Sequence, residues 1–182
     1  LENVQRTGSF KARGAFSRVT RLSPEERDRG IITISSGNHA QGVALAAGTF
    51  GIGAVVVMPE VTPATKVKAA QRYGAQVRLV GRNYDEAEAV GTEMAAESGM
   101  TFVSSYADPD VAAGQGTIGL EMMTEQPDLD IVLVPCGGGG LMSGVSCIVK
   151  SINPRARVFG VQSEASPAWH SAFEKGEVSY VP

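Results

Sequence analysis

Cysteine, histidine and aromatic residues are scarce in this chain of 182 residues, with two cysteines, two histidines and 6% Phe, Trp and Tyr together. Cys136 and Cys147 show no C-x-x-C spacing. Neither a zinc ligand set nor a disulfide framework is spelled out, and a reducing compartment, the cytoplasm, is the expected location. With His39 and His170 alone, neither an H-E-x-x-H metal motif nor a His-containing catalytic pair can be assembled. Apolar runs are strand-sized, far below the roughly 18 to 20 residues of a membrane span, and no basic-then-apolar secretory pattern opens the chain. No membrane partner is expected. Blocks of consecutive Lys or Arg are missing too, and 16 basic against 19 acidic residues leave a net charge of −3, which argues against a nucleic-acid surface.

What the chain has is 43% hydrophobic residues, enough for a real core and for one or two domains. Short runs rich in Val and Ile, bounded by Gly or Pro, read as buried strands at 31–35, 54–58, 76–80, 101–104, 131–134 and 158–161. Helix signals fall between them. Ser23-Pro24-Glu25-Glu26 is a capping box with Pro at the first helical position, Thr62-Pro63 starts a second helix, and Asn83 with Asp85, Glu86 and Glu88 starts a third. Gly30, Gly74 and Gly99 stand where C-terminal caps belong. Alternating strand and helix predicts the α/β class: mostly parallel sheets in three layers, with helices on both faces.

Three pieces of the chain carry chemistry. Ser35-Ser36-Gly37-Asn38-His39 and Cys136-Gly137-Gly138-Gly139-Gly140-Leu141 each follow a hydrophobic strand and open a helix, where unpaired N–H groups and the positive helix end favour an anion. The third is Ser9-Phe10-Lys11. If Ser9 caps a helix over 11–19, the Lys11 ammonium meets an unfavourable dipole, which lowers its pKa toward the neutral amine. Two anion sites and one amine suit an amino acid meeting pyridoxal phosphate. The glycine loop is no dinucleotide fingerprint, since G-x-G-x-x-G from Gly137 or Gly138 needs glycine at Met142 or Ser143, and no P-loop lysine is present. A bare phosphate clamp remains. The bland readings are a solvated surface lysine, a flexible glycine connection, a helix cap at Asn38 and a packed imidazole at His39. Cys136, a thiol at a helix N-terminus, reads more simply as a small buried hydrophobe.

Taken in order, Thr7-Gly8-Ser9-Phe10-Lys11-Ala12-Arg13-Gly14-Ala15, the run from Ser35 to Gly42, Ala113-Gly114-Gln115-Gly116-Thr117-Ile118-Gly119-Leu120-Glu121 and the glycine loop resemble the fold type II (beta-family) pyridoxal-phosphate enzymes. Within these the chain is most similar to threonine dehydratases, with serine racemases as close relatives. Lys150-Ser151-Ile152-Asn153-Pro154 and Gly160-Val161-Gln162-Ser163-Glu164 resemble the catabolic type. The resemblance implies that Lys11 carries pyridoxal 5'-phosphate and takes the substrate's α-proton. It implies cofactor contacts from Phe10, Asn38, Gly137, Gly138, Gly139, Gly140 and Leu141. Ser36, Gly37, Asn38 and His39 would receive the substrate carboxylate. Ser36 would be a second acid/base if the chain racemises serine, and Gln115 and Thr117 would order the start of a helix.

The implied reaction converts L-threonine to 2-oxobutanoate and L-serine to pyruvate, each with ammonia. The alternatives are a serine racemase/dehydratase and a non-catalytic fragment that answers a nucleotide. The resemblance also implies an AMP effector and a homo-oligomer. It implies a smaller lobe at 1–107 and part of a larger cofactor-binding domain at 108–182. Beginning at Leu1 rather than Met, the chain is expected to be a piece of a longer one, inactive alone. No metal site is expected, because Gln162 and Ala168 stand where serine racemase-like relatives carry carboxylates.

Overall fold

A computed structural model describes residues 1–177. It divides into two compact units, one from Leu1 to Gln115 and the other from Gly116 onward. In the first unit a short 3₁₀ turn, Glu2–Val4, precedes α1 (Lys11–Thr20), α2 (Pro24–Arg29), β1 (Ile31–Ile34), α3 (Asn38–Thr49), β2 (Ala54–Met58), α4 (Ala64–Gln71), β3 (Gln76–Leu79), α5 (Tyr84–Ser98) and β4 (Thr101–Phe102). The four strands make one parallel sheet in the order β3-β2-β1-β4. Alternation along each strand decides which helices it meets. Ile31, Val56 and Met58 join α1, α3 and α4 in one core, whereas Ile32, Ile34 and Val57 join α5 in another. This gives the expected three layers in the first unit.

Local hydrogen bonds explain the helix boundaries. Ser23 Oγ accepts the Glu26 N–H at 3.2 Å while Glu26 accepts the Ser23 N–H at 2.8 Å, completing the capping box. Asn83 Oδ1 accepts the Glu86 N–H at 2.9 Å. Gly30 and Gly99 end α2 and α5 with φ of 82° and 66°, the left-handed half of the map that glycine enters without cost. Gly74 differs from expectation. Arg72 in helical conformation ends α4, and Gly74, at φ 90°, turns the chain two residues later. β4 is also shorter than its apolar run. Val103 still donates to Ile32 at 2.9 Å, after which the Ser104 hydroxyl takes the N–H groups of Tyr106 and Ala107 and ends the ladder.

α6 (Pro109–Glu125) begins in the first unit and ends in the second. The expected lobe boundary at 107/108 lies ahead of the division between the units, which falls between Gln115 and Gly116 inside this helix; at the helix start Asp108 Oδ1 caps Asp110 and Val111 at 2.8 and 3.1 Å. The second unit continues with β5 (Ile131–Pro135), α7 (Gly140–Ile152), β6 (Arg157–Val161) and α8 (Ala168–Lys175). β5 and β6 pair in parallel. Val132 and Val134 pack against Met123 of α6 and Val145 and Val149 of α7. Side chains of opposite parity, Leu133 and Phe159 among them, remain 67% and 45% exposed on the other face.

The glycines between 113 and 121 are spent on close helix contacts. A Cβ on Gly114 would lie 2.5 Å from the Arg13 carbonyl of α1, and one on Gly116 would lie 2.9 Å from the Gly144 carbonyl of α7.

Candidate active site

In the first sheet the chain steps outward from β1 to β2 to β3 and then returns to place β4 on the other side of β1. That reversal is a topological switch point, and open parallel sheets bind ligands beyond the carboxyl ends of their strands at such points. Two loops meet there: 35–37, leading into α3, and 103–108, following β4. The Lys11 side chain reaches this point, its Nζ donating to the Ser105 carbonyl at 3.3 Å. Gly42 permits the approach of α1 to α3, since a Cβ there would stand 3.1 Å from the Lys11 carbonyl group. A cavity of about 330 Å³ opens beside the same loop, lined by Ile34, Tyr84, Glu88, Ser104, Ser105 and Tyr106 among others.

Lys11 is half-buried at the start of α1, and burial pushes its amine below the ordinary lysine range. The cause is therefore desolvation rather than the dipole argument based on a Ser9 cap. Phe10, in helical conformation, is the N-cap residue and makes no side-chain cap, while Ser9 Oγ accepts only the Lys11 N–H at 3.4 Å. The Phe10 ring centroid lies 5.1 Å from Lys11 Nζ, a contact that favours the ammonium.

The turn before α3 is built by Ser35, whose Oγ accepts the Gly37 N–H at 3.2 Å. Gly37 is the N-cap residue and supplies no side chain, so the first N–H groups of α3 have no intrahelical acceptor. Neither Ser36 nor Asn38 acts as the cap. Among the described residues no protein group bonds the Ser36 hydroxyl or the exposed Asn38 amide.

His39 turns inward. It is 2% exposed, and its Nε2 lies 3.0 Å from the Val103 carbonyl, which sets Nε2 as the donor and leaves Nδ1 buried without a partner. Only its backbone N–H faces the turn as an N-terminal donor. Burial, opposed by the Val103 bond and helped by the Lys11 charge, pushes its pKa down to about 4.

Unfolding lets this imidazole bind a proton at its ordinary value of 6.5. Its contribution to stability should be constant above pH 6.5, fall as pH drops, and level off below about 4, a loss of about 3 kcal/mol. Thermal melts of the wild type and His39→Gln across this interval test it. The slope of melting temperature against pH should flatten in the variant, and equal slopes would show that His39 does not titrate on unfolding.

Gln115, fully buried, accepts the Gly14 N–H at 3.1 Å through Oε1 and packs the interior of α6 against α1; the start of that helix is ordered by Asp108 and not, as expected, by Gln115. Thr117 is exposed on α6.

In the second unit Gly137, Gly138 and Gly139 lead into α7, whose first helical residue is Gly140 and whose first intrahelical bond runs from the Ser143 N–H to the Gly139 carbonyl at 2.8 Å. Gly139, at φ 94°, is the N-cap and provides no side-chain cap. The N–H groups from Gly139 to Met142 therefore lack acceptors in the helix, and the positive helix end coincides with them. Leu141 packs into the α7–β5 core. Burial pushes the Cys136 thiol up, away from a nucleophilic thiolate. Gln162 Oε1 accepts the Trp169 N–H at 3.0 Å, and among the described residues no three His, Cys, Asp or Glu side chains cluster as metal ligands. Sequence reasoning missed Ser105 and Trp169, and it named Ser35 only as part of the turn and gave it no role of its own.

A family model described as "Pyridoxal-phosphate dependent enzyme" matches residues 1–182. The chain is 50% identical over 181 residues to an L-threonine ammonia-lyase of Thermotoga maritima, covering 100% of this chain and 45% of that protein. It is 48% identical over 179 residues to the catabolic L-threonine dehydratase TdcB of Escherichia coli K12, covering 98% and 54%. The solved structure of maize serine racemase superposes with a TM-score of 0.95 at 34% identity, covering 100% of this chain and 55% of that one. The chain thus spans about half the length of the curated relatives it matches. No helix among the described residues is long and apolar enough to cross a membrane.

Proposed function

Because the chain belongs to the pyridoxal-phosphate dependent enzyme family, we propose that the full-length protein carrying it deaminates L-threonine to 2-oxobutanoate and ammonia, and L-serine to pyruvate and ammonia, by loss and later regain of one water. The observation that carries this reading is the desolvated amine of Lys11 at the switch point of the first sheet. Two elements, each within its own unit, suit parts of the cofactor. Lys11 would hold its aldehyde carbon, and the uncapped loop 137–140 with the first turn of α7 would hold its phosphate. When bound, the cofactor supplies an electron sink for the charge left by the departing α-proton.

The remaining work belongs to the chain. The backbone N–H groups of Asn38 and His39 would bind the substrate carboxylate at the positive end of α3, with Gly37, whose own N–H bonds Ser35 Oγ, shaping the turn beside it, and the Asn38 amide, free of protein partners, would contact the cofactor ring oxygen. Phe10 and Leu141 would wall the ring and the phosphate. Lys11, whose amine burial pushes below the ordinary lysine range, would accept the α-proton at Nζ. Loss of the β-hydroxyl as water, followed by uptake of water by the released enamine, gives the 2-oxo acid and ammonia. In this reading the protein is cytoplasmic and homo-oligomeric, with AMP as its candidate effector. Sedimentation and AMP titration of the full-length protein test these points. Borohydride treatment of the cofactor-loaded protein should fix the label on Lys11, and recovery of the label on Lys66 or Lys150 would overturn the assignment.

A second activity, racemisation of serine, is favoured by the unpartnered Ser36 hydroxyl beside the α3 turn. If Ser36 is an acid/base, Ser36→Ala should abolish D-serine formation and leave threonine elimination within a few-fold. If it is a carboxylate ligand, the variant should raise KM and leave product chirality unchanged. No D-serine from the unmutated protein would dismiss the acid/base role.

A further inference from the structure

We propose that Trp169, the chain's one tryptophan, is a positioning residue that holds the glycine-rich loop 137–140 in the conformation that receives a phosphate group. The inference rests on reading that loop as the phosphate holder. Trp169 is the second residue of α8, and its indole N–H donates to the Gly137 carbonyl at 2.7 Å. A planar trans peptide points its C=O and N–H in opposite directions. Turning the Gly137 carbonyl toward the indole therefore turns the Gly138 N–H away from it. The same ring sits against Gly139, where a Cβ would lie 2.8 Å from Trp169 Cζ2. One side chain thus contacts two of four consecutive glycines.

Four glycines in succession have the widest backbone freedom of any such run, whereas an anion cradle needs its N–H groups convergent before the ligand arrives. Binding would otherwise bear the cost of ordering the loop. Trp169 is itself held. Gln162, the residue after β6, accepts the Trp169 N–H at 3.0 Å and the His170 N–H at 3.5 Å through Oε1, which fixes the first turn of α8 to the end of the strand. Position 162 is thereby a structural cap that orients the tryptophan. Trp169 is 39% exposed and also lies beside Phe173 of the same helix, with ring centroids 6.5 Å apart.

The test compares Trp169→Phe, which keeps a ring and loses the N–H, with the unmutated full-length protein for binding of pyridoxal 5'-phosphate, inorganic phosphate and phosphate-free pyridoxal. Loss of one positioning hydrogen bond should raise Kd for the two phosphate ligands about 5-fold and leave pyridoxal unchanged. Equal weakening of pyridoxal would mean general packing and would overturn the proposal. Gly137→Asp adds a carboxylate where a Cβ meets nothing within 4 Å, and should weaken phosphate binding by charge repulsion. If Gly137→Asp weakens it and Trp169→Phe does not, the loop reading stands and the role of Trp169 falls. If neither does, the loop reading itself falls, and the role of Trp169 with it. Should Trp169→Phe fold poorly, the Trp169 indole N–H resonance of the unmutated protein serves instead. It should shift on saturation with inorganic phosphate, and a stationary resonance would overturn the proposal.

Discussion

Lys11→Ala in the full-length protein should lower turnover of L-threonine by about 10³-fold or more, the range in which a positioned proton-transfer group contributes, with the loss of covalent attachment added to it. The protein should still fold. Lys11 is half-buried and its one directional contact is the Ser105 carbonyl, so stability should change by about 1 kcal/mol or less. Lys11→Arg separates charge from chemistry. A guanidinium can keep the donor to Ser105 and the positive charge, yet it stays protonated and cannot accept the α-proton. Both variants should therefore lose turnover to a similar extent, with melting temperatures within about 4 °C of the unmutated protein. Because burial lowers the Lys11 amine, activity should persist at pH values where an exposed lysine would already be fully protonated, and should fall as pH drops through the lowered value. More than about 1% residual activity in Lys11→Ala would remove the residue from the proton-transfer step.

Gly114→Ala should be strongly destabilising, although it adds a single methyl group. Alanine is normally preferred over glycine in a helix by about 1 kcal/mol, which would favour the variant if nothing stood nearby. Here the new Cβ would lie 2.5 Å from the Arg13 carbonyl, 2.6 Å from Gly14 Cα and 2.7 Å from Ser17 Cβ. Two of these are backbone atoms of α1 and cannot rotate aside, so α1 and α6 must separate. Separation also strains the bond from the Gly14 N–H to Gln115 Oε1 and shifts the helix that starts at Lys11. A net loss of about 3 kcal/mol is expected, seen as a fall in melting temperature of roughly 6 to 12 °C.

Gly91→Ala is the control. Its Cβ would meet Ile34 Cγ1 at 2.6 Å and Cδ1 at 2.8 Å, side-chain atoms that another rotamer can withdraw, so the loss should be clearly smaller. Equal losses in the two variants would show that the α1–α6 contact is not the rigid one.

What was legible in the chain by itself was whatever is decided within about four residues. Ser23 with Glu26, Asn83 with Glu86, and the left-handed glycines at 30 and 99 are local hydrogen-bond and backbone preferences, and each set an element boundary where expected. The six strands were legible because strands covered on both faces, or stacked on one, carry runs of Val and Ile. That both turns would lead into helices was legible for the same reason, and the structure shows that neither N-cap residue, Gly37 or Gly139, supplies a side-chain cap.

Only the tertiary structure decided where the side chains beside those turns point. His39 bonds the carbonyl of a residue 64 positions away, Gln115 bonds Gly14 across 101 positions, and Trp169 reaches back 32 positions to Gly137. No local pattern encodes such a partner, since it depends on strand order and helix crossing. The pKa of Lys11 belongs with them, for the desolvation that lowers it is contributed by residues brought together only when α1 packs against α3 and Lys11 meets the loop after β4.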